Sequence, residues 1–351
     1  MPSNPIITQP TERDIAILKD LYRYRVLTTQ HLRKKYFPHS SYVKNKIYAM
    51  KKSNWIIPFP LVGKNGRKQT TCYRLTDTAL AILRDQGELI NKKAAKLRVR
   101  DNMLPYVLAT NDVMIELFPY GWELYESRET KANYNLNRND LIHGELVSPT
   151  GKRYALYILM ERTKDENMRR IIREIKSDKF PNYIVLAKGE ESRNHFVERA
   201  TEANNMMSIT GELSVMDFNY GIKYLQSGFS DKTIFERIIQ SPETPFEVVP
   251  FSGDRSPFQY KVMHKGEEKY LVNLMNADIM KIRAINHYAE DINRAERFQE
   301  KHYRVLVLVI PEMKTTIKQL MQGNPLVSYM DVGDKMIQNE SWMRKKVPIV
   351  Q

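Results

Sequence analysis

At Asn54 the apolar residues of this chain change from a helical to a strand-like period, and that switch limits what the first quarter can build. Before it lie three short helical stretches. Thr11 caps the first, with Asp14 in its first turn and Ile15, Leu18, Leu21 and Tyr22 on one face. Arg25, Val26 and Leu27 lead to Thr28, which caps a second stretch ending at Tyr36 and Phe37. Pro38 and His39 turn the chain into the third, where Val43, Ile47 and Met50 recur at i, i+4 and i+7. After Asn54, residues 55–62 are apolar and β-prone, with Pro58 and Pro60 confining them to a sheet edge. Asn65 and Gly66 mark a hairpin turn, residues 70–75 return, and Thr76 caps a last helix that Gly87 ends.

Helix, turn, helix and then a hairpin is the order of a winged helix–turn–helix spanning residues 11–87. Its third helix sets an apolar back against a front of Tyr42, Lys44, Asn45 and Lys46, with Lys51 and Lys52 behind them. Ser40 or Ser41 is expected to cap it. Tyr42, Lys44, Asn45 and Lys46 are expected at base edges, where Asn pairs bidentately with adenine. Lys51, Lys52, Arg67 and Lys68 are expected mainly at phosphates, the hairpin-tip residues Lys64, Arg67 and Lys68 at backbone or minor groove, and Ser40 is counted with the DNA-binding residues. A solvated surface helix and a solvated turn would show the same residue types in isolation. The charge distribution decides between them.

Residues 1–100 hold 21 Lys+Arg against 6 Asp+Glu, a net of +15, although the whole chain carries only +14. The remainder is near neutral. A polyanion-binding module on a neutral body produces this asymmetry, and a generally basic protein does not. No basic amphipathic helix presents a broad Trp/Phe/Leu face, which disfavours a membrane surface as the polyanion.

The longest aliphatic run, residues 305–310, is far below the roughly 18–20 residues a membrane span needs. The opening Met-Pro-Ser-Asn-Pro lacks the pattern of a secretory signal. A lone cysteine, Cys72, can form neither an internal disulfide nor a cysteine metal cluster. A soluble protein of a reducing cytoplasm is therefore expected.

The rest reads as an arm (1–10), a basic connector (88–103), an α/β unit (104–240), a second α/β unit (257–325) and a tail (326–351). The connector carries Lys92, Lys93, Lys96, Arg98 and Arg100. In the first unit, residues 106–118 and 166–176 are helical, and 122–125, 140–147, 153–160 and 183–187 are strands. A helix at 191–202 and a strand at 213–219 complete it, and 241–256 form a Pro/Ser/Gly-bearing linker. The second unit places strands at 258–264 and 269–274, a long helix at 278–300, a strand at 303–310 and a helix at 315–321. The element order repeats, with Arg153-Tyr154-Ala155-Leu156 echoed by Lys269-Tyr270-Leu271-Val272, which suggests a duplicated unit. The fold class is thus mixed α+β: a winged helix followed by an α/β body.

Leu18 through Leu83 carries Arg25-Val26-Leu27-Thr28-Thr29-Gln30-His31-Leu32, then Tyr36-Phe37-Pro38, then Tyr73-Arg74-Leu75-Thr76. With these residues it resembles the replication-relaxation family, winged-helix proteins encoded mainly on plasmids and other mobile elements of Gram-positive bacteria and their relatives. The resemblance covers the first quarter closely and part of the middle loosely. It implies a role in plasmid replication, mobilisation or their control.

One pair of acids has the layout of chemistry. Asp140 at a hairpin start and Glu161 at the end of the next strand resemble a restriction-endonuclease-like core, whose active members hold Mg²⁺ on two carboxylates with a lysine two residues after the second. Here Asn139 replaces the usual proline, Thr163 stands where the lysine is needed, and Lys164 comes one position late. The pattern favours a catalytically silent version of that core, or an unrelated one. The histidines at 31, 39, 143, 195, 264, 287 and 302 form no metal motif, Tyr42 and Lys46 fit a tyrosine-nucleophile spacing only by number, and no phosphate-cradling glycine loop exists. No cofactor and no metal are expected. Three readings stand: a sequence-specific double-stranded DNA-binding protein, paired with itself or with a replication or relaxase protein; a metal-dependent nuclease or nicking protein using Asp140 and Glu161; and an adaptor whose winged helix grips another protein.

Overall fold

The computed structural model describes residues 9–62, 68–202, 209–227, 246–249, 258–295, 302–321 and 323–332. It divides into two compact units, residues 1–118 and 119–351. Both mix helices with β-sheets.

In the first unit α1 (Glu12–Tyr24) leads through β1 (Leu27–Thr28) into α2 (Thr29–Tyr36) and α3 (Val43–Lys52). The hairpin strands β2 (Ile56–Val62) and β3 (Lys68–Leu75) follow, then α4 (Asp77–Asp85), the short α5 (Ala94–Leu97) and α6 (Leu104–Leu117). The antiparallel sheet runs β1-β3-β2, so the proline-bearing β2 sits at an edge, where missing N–H groups cost no ladder bond. Caps fix the helix starts. Thr11 and Asp14 form a reciprocal capping box, and Thr28 forms another with His31. Thr76 Oγ1 accepts the Ala79 N–H at 3.2 Å, and Gly87, at φ +84°, closes α4.

α6 is apolar on nearly all sides and belongs to this unit, so the body starts at Pro119 and not at residue 104 as expected. The reason is burial. Val99, Leu104 and Leu108 pack with Val26 and Cys72, against Phe59 and Leu61. The sheet's outer face is thereby covered, and burial pushes the Cys72 thiol up to about 11. Asn111 Nδ2 donates to the Val26 carbonyl at 2.5 Å, bracing the turn where Arg25 takes φ +67°. The connector is consequently packed chain, with Leu97 and Val99 inward and Arg98 and Arg100 exposed.

The second unit begins with β4 (Glu123–Glu126), α7 (Ser127–Asn133), β5 (Gly144–Val147), β6 (Arg153–Leu159), α8 (Asp165–Lys176), β7 (Tyr183–Ala187), α9 (Glu190–Thr201), β8 (Leu213–Asp217) and α10 (Phe218–Ser227). It continues with β9 (Phe246–Val249), β10 (Lys261–His264), β11 (Glu267–Asn273), α12 (Ile279–Ala295), β12 (Arg304–Val309), α13 (Pro311–Leu320) and β13 (Val327–Asp331). Its two five-stranded sheets share one plan. Order β4-β5-β6-β7-β8 is antiparallel, antiparallel, parallel, parallel, and order β9-β10-β11-β12-β13 repeats that sequence of polarities. In each, the central parallel pair is buried along most of its length because both faces are covered, and β6, β7 and β12 read as near-continuous apolar runs.

Several expected bounds move. The strand expected from Asp140 starts only at Gly144, because Asp140 closes a turn by accepting the Asn137 N–H at 2.8 Å. Within the expected linker, Phe246–Val249 pairs with β10, and within the tail Val327–Asp331 pairs with β12. The two expected α/β units are not separate either. Ser214 bridges to Asp278, the Asn276 carbonyl accepts the Val215 N–H at 3.2 Å, and Asp278 Oδ1 accepts the Leu213 N–H at 3.3 Å. The loop after β11 thereby covers the edge of β8. Among the described residues no helix is long and apolar enough to cross a membrane.

Candidate functional site

α3 is held from behind. Val43, Ile47, Ala49 and Met50 are buried, and Trp55 follows into the core. Its start differs from expectation: Tyr42 occupies the N-cap with no side-chain cap bond, and Ser40 Oγ instead accepts the Tyr42 N–H at 3.1 Å. Tyr42 packs on Phe37 with centroids 6.5 Å apart, and the Arg13 guanidinium lies 5.2 Å over the same Phe37 ring. An exposed aromatic and a cation thus sit at the helix entrance.

The outward face of α3 carries Lys44, Asn45, Tyr48, Lys51 and Lys52, all exposed, with Ser41 in line just before it. These positions follow i, i+3/i+4, i+7/i+8 and form one stripe. Among the described residues nothing pairs with Lys44, Asn45, Tyr48 or Lys51. Tyr48, at 52% exposure, escaped the sequence reading. The polar stripe carried the missing signal, since it has the same period as the apolar one.

Lys46 does not join this face. Its ammonium lies 2.7 Å from Asp14 Oδ1 and 2.8 Å from Oδ2, with the lysine side chain 11% and the aspartate 0% exposed. Asp14 Oδ2 also accepts the Thr11 N–H and hydroxyl at 3.0 and 2.9 Å. Lys46 is therefore the counter-ion of a buried capping carboxylate, and the expectation that it meets base edges is corrected. Three side chains of α2 also have acidic partners. Lys35 pairs with Asp20 at 2.6 Å, Lys34 with Glu116, and His31 Nε2 with Asp112 at 2.7 Å. Tyr36 donates to Asp20 at 2.6 Å, and burial first, then that carboxylate, holds its hydroxyl far above the ordinary phenol range. With α6 included, residues 1–118 keep 21 Lys+Arg against 9 Asp+Glu, a net of +12.

Of the hairpin tip, Lys64 and Arg67 lie outside the described residues, as does the Lys68 side chain; Lys68 is the first residue of β3.

Asp140 and Glu161 lie in different local settings. Glu161 is exposed in the turn after β6, where Ser192 Oγ donates to the Met160 and Glu161 carbonyls at 2.9 Å. Thr163 Oγ1 accepts the Met160 N–H at 2.8 Å, so the residue standing in the lysine position closes that turn. Asp140 instead borders a cavity of about 300 Å³ with Tyr157, Arg170, Arg173, Glu174 and Lys179, and no described bond or shared cavity joins it to Glu161. Glu174 accepts the Leu141 N–H at 2.8 Å and the Tyr157 hydroxyl at 3.1 Å. Burial foremost, with Asp140 adding, raises its pKa. Among the described residues no group of three or more His, Cys, Asp or Glu side chains could hold a metal ion. His143, half-buried, accepts the Ile158 N–H at 3.0 Å, and desolvation, with Lys131 adding, pushes it down to about 3, a neutral structural acceptor.

Against known proteins, residues 18–183 match the family model described as replication-relaxation, a span running from α1 to the first residue of β7. No curated protein and no solved structure matches.

Proposed function

We propose that this protein binds double-stranded DNA of a plasmid or other mobile element through a winged helix formed by its first unit, acting in replication, mobilisation or their regulation, a reading supported by the match of residues 18–183 to the replication-relaxation family model. One observation carries the reading: the outward stripe of α3 offers Lys44, Asn45, Tyr48, Lys51 and Lys52 to a partner while its back is locked in the core. A helix about 10–12 Å across fits a major groove about 12 Å wide. The helix–strand–helix–helix–hairpin order supports it, as does the +15 concentrated in residues 1–100.

In this reading Asn45 faces base edges, while Lys44, expected from the sequence at a base edge, joins Lys51 and Lys52 at phosphates, with the hairpin tip at Lys64, Arg67 and Lys68. About six neutralised phosphates correspond to a log–log salt slope of roughly −5. The second unit is the scaffold that sets spacing, pairing of two copies, or the choice of a replication or relaxase partner. Selecting bound fragments from plasmid DNA with the full chain tests the reading and names the process, since sites at an origin, a transfer locus or a promoter separate its branches. Failure to retard any duplex at about 50 mM salt, in a buffer where such electrostatic binding is strong, would reject it.

A further inference from the structure

We propose that Tyr48 is the residue of this protein that meets the floor of the DNA major groove, packing its ring on the C5-methyl group of a thymine. The inference rests on the DNA-binding reading and specifies how α3 reads its site.

At about 100° per residue, Lys44 and Lys51 lie roughly 40–60° to one side of Tyr48, and Asn45 and Lys52 about 40–60° to the other. Tyr48 is thus the midline of the stripe, with a cation on either flank. From Lys44 to Lys51 the axis advances about 10 Å, close to three base steps at about 3.4 Å each. A helix seated so that both flanks reach phosphate walls aims its midline at the bases. The midline residue is 52% exposed, and among the described residues no aromatic ring or cation stacks on its ring and nothing bonds its hydroxyl. Its supporting turns are fixed, because Ile47 and Met50 are buried and Lys46 is tied to Asp14.

The chemistry selects the target. A phenol ring offers apolar area with one hydroxyl at its tip, and the main apolar group on the major-groove floor is the thymine methyl. Asn45, one turn earlier, supplies the polar partner for an adjacent adenine. Duplex RNA is excluded as the preferred ligand, because its deep, narrow major groove does not admit side chains for reading and uracil lacks the methyl.

The test uses the full chain and duplexes it has selected, with each thymine replaced singly by deoxyuridine. Wild type should lose about fourfold in affinity at one or two positions, the worth of one buried methyl. Tyr48→Ala should bind the thymine duplex at least that much more weakly and show no further loss on the deoxyuridine duplex. Tyr48→Phe should stay within about twofold of wild type on both. Equal wild-type affinity for all deoxyuridine duplexes overturns the proposal, as does a Tyr48→Phe loss matching Tyr48→Ala, which would assign the reading to the hydroxyl. Equal Tyr48→Ala losses on selected and random duplex also overturn it. Unchanged thermal midpoints keep folding out of the comparison. If wild type retards no duplex, the DNA-binding reading fails first, a result distinct from each of these.

Discussion

Replacing Lys46 with Met should destabilise rather than misdirect the first unit. Its ammonium is the counter-ion of Asp14, a carboxylate with no solvent exposure that also closes the capping box of α1. Removing one partner of a buried pair typically costs about 3–5 kcal/mol. Asp14 keeps the Thr11 N–H and hydroxyl as donors, so the lower end applies, near 3 kcal/mol. At about 1.4 kcal/mol per tenfold, amides of α1 and α3 that exchange through opening of this unit should exchange roughly 150-fold faster in Lys46→Met. Hydrogen-exchange mass spectrometry on the full chain reads this directly, without requiring the two units to unfold together. The double variant Asp14→Asn, Lys46→Met should recover most of the loss, because neutral groups of similar size need no counter-ion. If Lys46→Met left exchange within about threefold of wild type while abolishing preference for the selected duplex, Lys46 would be a base reader and the reasoning would be wrong.

The other predictions concern the outward face of α3, a pH-sensitive joint, a tight strand crossing and the acids. Changing Lys51 and Lys52 to Ala should weaken binding to all duplexes alike and flatten the log–log salt slope by about 1 for each phosphate no longer neutralised; a change confined to one sequence would refute it. Asn45→Ala should cost roughly 1–3 kcal/mol on the selected duplex and blur one base pair, against little effect on random duplex. Burial of Asp278 first, with Glu212 adding and with Lys281 and two backbone N–H donors opposing, pushes its carboxyl up to about 6 from 3.8. Its contribution is therefore fully present below about pH 4 and lost as pH rises through 6, so Asp278→Asn should gain stability over wild type by up to about 3 kcal/mol at pH 8 and little at pH 4. Urea unfolding followed by circular dichroism checks this, and equal destabilisation at both pH values would refute it. A Cβ on Gly144 would stand 2.6 Å from the Tyr125 carbonyl oxygen, so Gly144→Ala should lower the thermal midpoint of the second unit in calorimetry, whereas Gly151→Ala, with open space around it, pays only for its φ of +81°. Supercoiled plasmid with Mg²⁺ or Mn²⁺ should stay intact for wild type and Glu161→Ala alike, since no described bond or cavity joins Asp140 to Glu161; relaxation that disappears in Glu161→Ala would reinstate the nuclease reading.

What could be read from the residues was periodicity and punctuation. Thr11, Thr28 and Thr76 cap helices as their positions suggest, Gly87 ends α4, and Pro58 and Pro60 keep β2 at the edge. Partnership across the fold was not readable. Nothing local to Lys46 indicates that Asp14, on another helix, sits against it, so a wheel of α3 alone places this lysine with the readers. Ser40 and Ser41 look like caps, yet Tyr42 is already in helical conformation and takes the terminal place. Asp140 looks like the start of a strand but spends its carboxylate on a turn, and Thr163 is engaged where a catalytic lysine would stand. The short strands at Phe246–Val249 and Val327–Asp331 carry too few residues to announce themselves and exist because β10 and β12 supply ladders. The repeated element order, by contrast, was visible, because strand polarity follows from where helices interrupt the strands.

The seam between the two five-stranded sheets determines where this protein can be divided. Leu213 and Val215 hand their amide hydrogens to Asp278 and Asn276, groups that lie more than sixty residues further on. A chain cut in the stretch between them would present β8 as a raw margin with hydrogen-bonding groups unmet, ready to recruit a strand from any neighbour. Shortened versions should therefore keep the whole of residues 119–351, because the later sheet supplies the hem of the earlier one.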